Sequence, residues 1–120
     1  MNALMVFVGG GLGAFCRWIV SKNLVASGSF PIGTFSVNMI GCLLIGLFSY
    51  YAIRGNNTIY MFIMVGFLGG FTTFSSYGLE LFKLFEGGNL RTLLTYFIVS
   101  NLLGGLLVFV GYKVASVYIK

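Results

Sequence analysis

An all-α polytopic membrane protein is the fold class this sequence predicts, and three observations predict it. Of 120 residues, 58% are hydrophobic and 8% are charged, where a soluble domain carries about 25% charged residues. The mean hydropathy is +1.00. The charges stand singly at the ends of four apolar runs, near residues 3–25, 33–53, 59–85 and 90–118, and a membrane-crossing helix takes roughly 20 apolar residues. The chain 1–120 therefore reads as a single domain of four transmembrane helices, the third of them broken at mid-membrane.

The first run carries Gly9-Gly10-Gly11-Leu12-Gly13-Ala14. Gly9 and Gly13 have the G-x-x-x-G spacing that lets a second helix approach closely. A dinucleotide loop is excluded, because no strand signal precedes the glycines and their spacing is wrong. Arg17 follows one turn beyond Gly13 on the same face, and Trp18, Ser21 and Lys22 suit an interfacial end. Met1 to Val8 lacks a basic leader region and no cleavage site ends it, so the first segment is expected to stay in the mature protein. Cys16 and Cys42 lie inside apolar runs without a C-x-x-C partner; they read as small buried side chains rather than zinc ligands or a disulfide. A net charge of +5 with singly scattered basic residues is ordinary for membrane flanks and does not indicate nucleic acid.

Pro31 closes a loop containing Ser27, Gly28 and Ser29. The second run then places Thr34, Asn38, Gly41, Cys42 and Ser49 on one helical face, a small-and-polar stripe inside a span. Arg54 to Thr58 is a turn. After the third run, Glu80 and Lys83 are spaced to pair on the surface, with Glu80 expected near the interface. Gly87-Gly88-Asn89 is the next turn, with Asn89 expected to cap the last helix. That helix sets Tyr96, Ser100 and Gly104 on one face with Asn101 beside them, and Gly111 extends the small-residue seam.

The third run holds the functional centre, Gly66-Phe67-Leu68-Gly69-Gly70-Phe71-Thr72-Thr73-Phe74-Ser75-Ser76-Tyr77. Glycine is a weak helix former, and serine and threonine compete with the helical hydrogen bonds. A break frees N–H and C=O groups that lipid cannot satisfy, so it must be buried, line water or bind an ion. A seam of small residues for helix packing is the other reading of the same stretch.

Four spans put both termini on one side. Arg54, Lys113 and Lys120 lie on that side, and Arg17, Lys22, Lys83 and Arg91 on the other. Orientation follows an asymmetry of basic residues, and here there is almost none. Insertion in both orientations is expected.

Three stretches carry a family resemblance. They are Gly10-Gly11-Leu12-Gly13-Ala14-Phe15-Cys16-Arg17, then G-T-x-x-x-N-x-x-G from Gly33 through Asn38 to Gly41, then G-x-x-G-G-x-T-T-F-S from Gly66 to Ser75. In that order the chain resembles the CrcB/Fluc fluoride channels along nearly its whole length. The resemblance implies a non-enzymatic, passive fluoride channel of the bacterial cell membrane that relieves fluoride toxicity. It implies an antiparallel dual-topology dimer with two pores, built from two copies or from a copy and a paralogue, and a structural sodium ion at the dimer centre. The ion's carbonyl ligands match Gly69 and Thr72. The pore asparagine matches Asn38 and the first pore phenylalanine Phe74; the second falls at Tyr77, a departure. The pore tyrosine matches Tyr96, and a polar position one turn later matches Ser100, or Asn101 with a shifted register. Gly13, Arg17 and Gly41 fall at packing and positioning sites.

The residue chemistry agrees. Fluoride is strongly hydrated, so a pore must replace its water with donors and without a carboxylate. Asn38 offers N–H, and Ser75, Tyr96 and Ser100 offer O–H. The ring edge of Phe74 is electropositive. Asn38 as a helix-to-helix bond, Phe74 as packing and Arg17 as a snorkelling side chain remain open alternatives. A small drug–proton antiporter would need an acidic residue in the membrane, and the first run has none. A non-transporting membrane subunit would need neither the polar stripe nor the broken helix.

Overall fold

The computed structural model describes residues 2–24, 28–52 and 57–118. Among these, four helical spans are long and apolar enough to cross a membrane. Helix α1 is Asn2–Asn23 and α2 is Ile32–Ala52. The third span, Asn57–Glu86, is made of two helices: α3 covers residues 57–71 and α4 is Phe74–Glu86. Helix α5, Leu90–Tyr118, has 29 residues, about 43 Å at 1.5 Å per residue and so longer than the hydrocarbon core. The expected ends at Val25 and Ile53, and the charges Arg54 and Lys120, fall outside the described residues.

Local chemistry sets the helix ends. Pro31 starts α2, its carbonyl accepting from the Phe35 N–H. At the end of α4, Gly88 takes φ +70, and the N–H groups of Gly88 and Asn89 return to the carbonyls of Phe85 and Leu84. This closure needs a left-handed residue, which glycine adopts freely. The Asn89 carbonyl then accepts from Leu93, opening α5. Near the end of α1, Lys22 lies 4.8 Å from the Trp18 ring centre.

Glycines bring two helix pairs together. A Cβ on Gly9 would strike the Phe62 carbonyl and lie 3.0 Å from the Phe67 nitrogen; one on Gly13 would strike the Phe67 carbonyl. Thus α1 rides on α3, against a stretch, Met61–Leu68, that is wound as a π-helix. On the other side, α2 packs most closely on α5, where Gly46 meets the Val108 carbonyl and Gly111 the Leu43 carbonyl. Small residues let backbones touch where no hydrophobic force drives helices together. Tyr77, Leu84 and Tyr96 form the buried cluster, flanked by Phe30, Phe35, Leu81 and Leu93.

The break falls within the expected stretch, after its glycines: Gly69–Phe71 is still helical, and the extended residues are Thr72 (φ −79, ψ 157) and Thr73 (φ −148, ψ 117). Gly70 faces α1, where its Cβ would strike the Gly10 carbonyl. One expectation needs correction: Glu80 does not pair with Lys83. Its two oxygens accept from Thr34 Oγ1 (2.6 Å) and Tyr96 OH (2.8 Å).

Candidate functional site

The site grows from the two extended threonines. Thr72 still closes onto α3, with its N–H and its hydroxyl both donating to the Leu68 carbonyl at 3.0 and 2.9 Å. Its methyl group packs where a Cβ on Gly41 would be, so Gly41 is what admits it. Thr73 starts α4: its Oγ1 accepts from the Ser76 N–H at 3.2 Å and donates to Ser76 Oγ at 3.1 Å. A threonine hydroxyl is a good helix N-cap because it takes up one of the orphan N–H groups.

Asn38 clamps the break from α2. Its Oδ1 accepts from the Thr73 N–H at 2.8 Å, and its Nδ2 donates to the Thr73 carbonyl at 3.0 Å. The amide replaces the bond that the Thr73 N–H would make to the Gly69 carbonyl in a continuous helix, and adds a second donor to the Thr73 carbonyl, which as the N-cap already accepts the first bond of α4. Asn38 is therefore a helix-to-helix bond as well as a cavity residue; its second N–H is what it can offer a ligand. From α1, Arg17 Nη1 donates to the Thr72 carbonyl at 3.4 Å. Arg17 thus reaches inward to the break rather than snorkelling outward.

An open cavity of about 340 Å³ lies against the break. Asn38, Gly69, Phe74, Tyr77, Ser100 and Asn101 line it, together with both threonines. The Phe74 ring is 84% exposed and 5.8 Å from the Tyr77 ring. Ser100 Oγ is buried with no hydrogen-bond partner. Asn101 Nδ2 donates to Tyr77 OH at 3.0 Å and to the Phe97 carbonyl at 2.7 Å. Both helix-five candidates thus reach the same cavity.

The expected site residues divide. Asn38, Phe74, Tyr77 and Ser100 come together at the cavity. Ser75 is exposed on the first turn of α4 and lies 3.4 Å from Thr73 Oγ1. Tyr96 stands behind the cavity wall, fully buried, with its ring 5.0 Å from that of Tyr77 and its hydroxyl on Glu80. Sequence reasoning missed the Thr34–Glu80–Tyr96 group. Glu80 is six residues past Phe74, about 9 Å along a helix, well short of the roughly 15 Å from the bilayer centre to its edge. That spacing, in a span with a mid-membrane break, was the available signal: an ionisable residue inside a membrane needs a partner.

The chain matches, over residues 4–112, the family described as CrcB-like protein, Camphor Resistance (CrcB). The chain belongs to the CrcB family. Among its curated relatives, a protein of Phocaeicola vulgatus is 40% identical over 92% of this chain and 94% of its own length. One of Azobacteroides pseudotrichonymphae is 38% identical over 90% of each chain. One of Helicobacter acinonychis is 38% identical over 99% of this chain and 100% of its own. Each of these relatives is named a fluoride-specific ion channel. With four apolar spans, this member of the CrcB family is a multi-pass membrane protein of bacterial kind.

The sodium ion expected from the sequence resemblance would sit on the carbonyls of Gly69 and Thr72. The donor set fits a hard cation. The Thr73 N–H, which would donate to Gly69 O in a continuous helix, is turned to Asn38, so that carbonyl is released. The end of α3 also carries the negative pole of its helix. The Arg17 guanidinium shares the Thr72 carbonyl at the long distance of 3.4 Å, leaving one of its lone pairs.

Proposed function

We propose that this chain is a passive, fluoride-selective channel of the bacterial cell membrane, working as an antiparallel pair of copies inserted in opposite orientations. The observation that carries the reading is the cavity at the break. Its wall combines the Asn38 amide, the hydroxyls of Tyr77 and Ser100 and the exposed Phe74 ring, all of them neutral. Such a wall trades hydration of a small anion for donors and an electropositive ring edge. Conduction requires that the hold be weak enough to release. A sodium ion on Gly69 and Thr72 of both copies would fix the paired breaks at the membrane midplane. The names of the relatives support the choice of fluoride.

A drug–proton antiporter needs an accessible acid. Glu80 is an acid within the span, yet Thr34 and Tyr96 occupy its oxygens and it does not line the cavity. The deciding experiment loads liposomes containing the purified chain with potassium fluoride and follows release with a fluoride electrode. Fluoride release without chloride release is expected, and Phe74→Ile is expected to abolish it. Extrusion of a cationic dye with no fluoride release would favour the antiporter, and neither activity a non-transporting subunit.

A further inference from the structure

We propose that Asn101 is a positioning residue that forces the Tyr77 hydroxyl to act as a hydrogen-bond donor into the cavity, adding an anion-binding group. The inference rests on the channel reading above.

The assignment starts from the Phe97 carbonyl, which can only accept. The Asn101 atom 2.7 Å from it must therefore be the amide nitrogen, and that nitrogen also reaches Tyr77 OH at 3.0 Å. Both N–H bonds of Asn101 are thereby spent. The Tyr77 oxygen is the acceptor in this pair, so its own proton cannot point at Asn101. Tyr77 is 7% exposed, and its hydroxyl meets no other partner among the described residues. A buried O–H left without an acceptor costs free energy. The cavity that both residues line is the place where an acceptor can reach it. Ser100, on the same wall and one position before Asn101, is the second such group: its Oγ is buried and unpartnered. Two hydroxyls without acceptors on one neutral wall describe a site for a small anion that accepts hydrogen bonds. A phenylalanine at 77 would keep the ring and lose the donor. The Tyr77–Asn101 pair thus sets how tightly the anion is held.

Fluoride efflux from liposomes, measured against internal fluoride concentration, tests this. A hydrogen bond to a charged group is among the stronger ones, so Tyr77→Phe should raise the half-saturating concentration about tenfold without lowering the maximal rate. Asn101→Thr keeps a donor for the Phe97 carbonyl one turn back but cannot reach Tyr77. It should shift the half-saturating concentration in the same direction, and add nothing in the Tyr77→Phe background. Asn101→Leu repeats the test if the threonine variant does not assemble. Additive effects of the two positions, or an unchanged half-saturating concentration in Tyr77→Phe, would overturn the inference while leaving the channel reading intact. No fluoride release by the unsubstituted chain would overturn both.

Discussion

Asn38 commits both ends of one side-chain amide to the backbone of Thr73. This is why the break tolerates an apolar setting: the buried Thr73 N–H, which lost its helical partner, gains the Asn38 oxygen, and the Thr73 carbonyl gains a second donor. Removing the amide leaves the Thr73 N–H bare, at about 1–3 kcal/mol. Asn38→Asp is the sharper variant. It keeps an acceptor for the Thr73 N–H but sets a carboxylate oxygen against the Thr73 carbonyl, beside the cavity. We expect it to lower the unfolding midpoint in detergent and to abolish fluoride efflux; full efflux would show that the anion passes elsewhere. Thr34→Val is the matching test for Glu80. The valine has the same shape and no hydroxyl, so one carboxylate oxygen loses its 2.6 Å donor. A loss of about 1–3 kcal/mol of stability is expected, read as an earlier thermal transition. An unchanged transition would show that water replaces Thr34.

At the scale of helices, the glycines separate contacts within one chain from contacts between copies. Gly13→Ala should misfold or strongly destabilise the protein, because its Cβ would strike the Phe67 carbonyl and lie 2.8 Å from the Phe71 nitrogen. Gly69 has nothing within 4 Å of an added Cβ. Gly69→Ala should therefore fold normally, and any harm it does must come from the partner copy. Size-exclusion chromatography in detergent distinguishes the two: an unfolded or aggregated Gly13→Ala, against a folded Gly69→Ala whose dimer fraction falls. A fully dimeric Gly69→Ala would remove Gly69 from the interface. Much of this architecture was legible beforehand. The four apolar runs, the G-x-x-x-G pair and the broken third span follow from length, glycine spacing and hydroxyl side chains. What was not legible depends on distant partners. Thr34 and Glu80 are 46 residues apart, and Asn38 and Thr73 are 35 apart, so no local pattern joins them. The π-helical turns of α3 carry no compositional mark, and the close approach of helical Gly70 to the Gly10 carbonyl depends on packing against α1.

For the whole molecule, the question is what covers the break. A single chain leaves Phe74 84% exposed and the cavity open, yet lipid cannot satisfy the backbone groups of an interrupted helix. A second copy related by a two-fold axis in the membrane plane would close the two breaks on each other. That arrangement requires one sequence to insert both ways, and the basic residues permit it: with Arg17 turned inward to the break, Arg54, Lys113 and Lys120 on the terminal side face Lys22, Lys83 and Arg91 on the other. Three flanking charges on each side give the insertion machinery little to read. A single reporter cysteine tests the consequence. Cys16 and Cys42 are replaced by alanine, and Tyr118, 83% exposed at the end of α5, is changed to cysteine. Labelling of intact cells with a membrane-impermeant maleimide should reach about half of the protein, and permeabilisation should expose the rest. Adding two lysines beside Tyr118 should shift that ratio towards the cytoplasmic side and reduce fluoride efflux, since pairing needs equal numbers of each orientation. Labelling confined to one side in the parent protein would exclude a pair of identical chains and point to a paralogue inserted the other way.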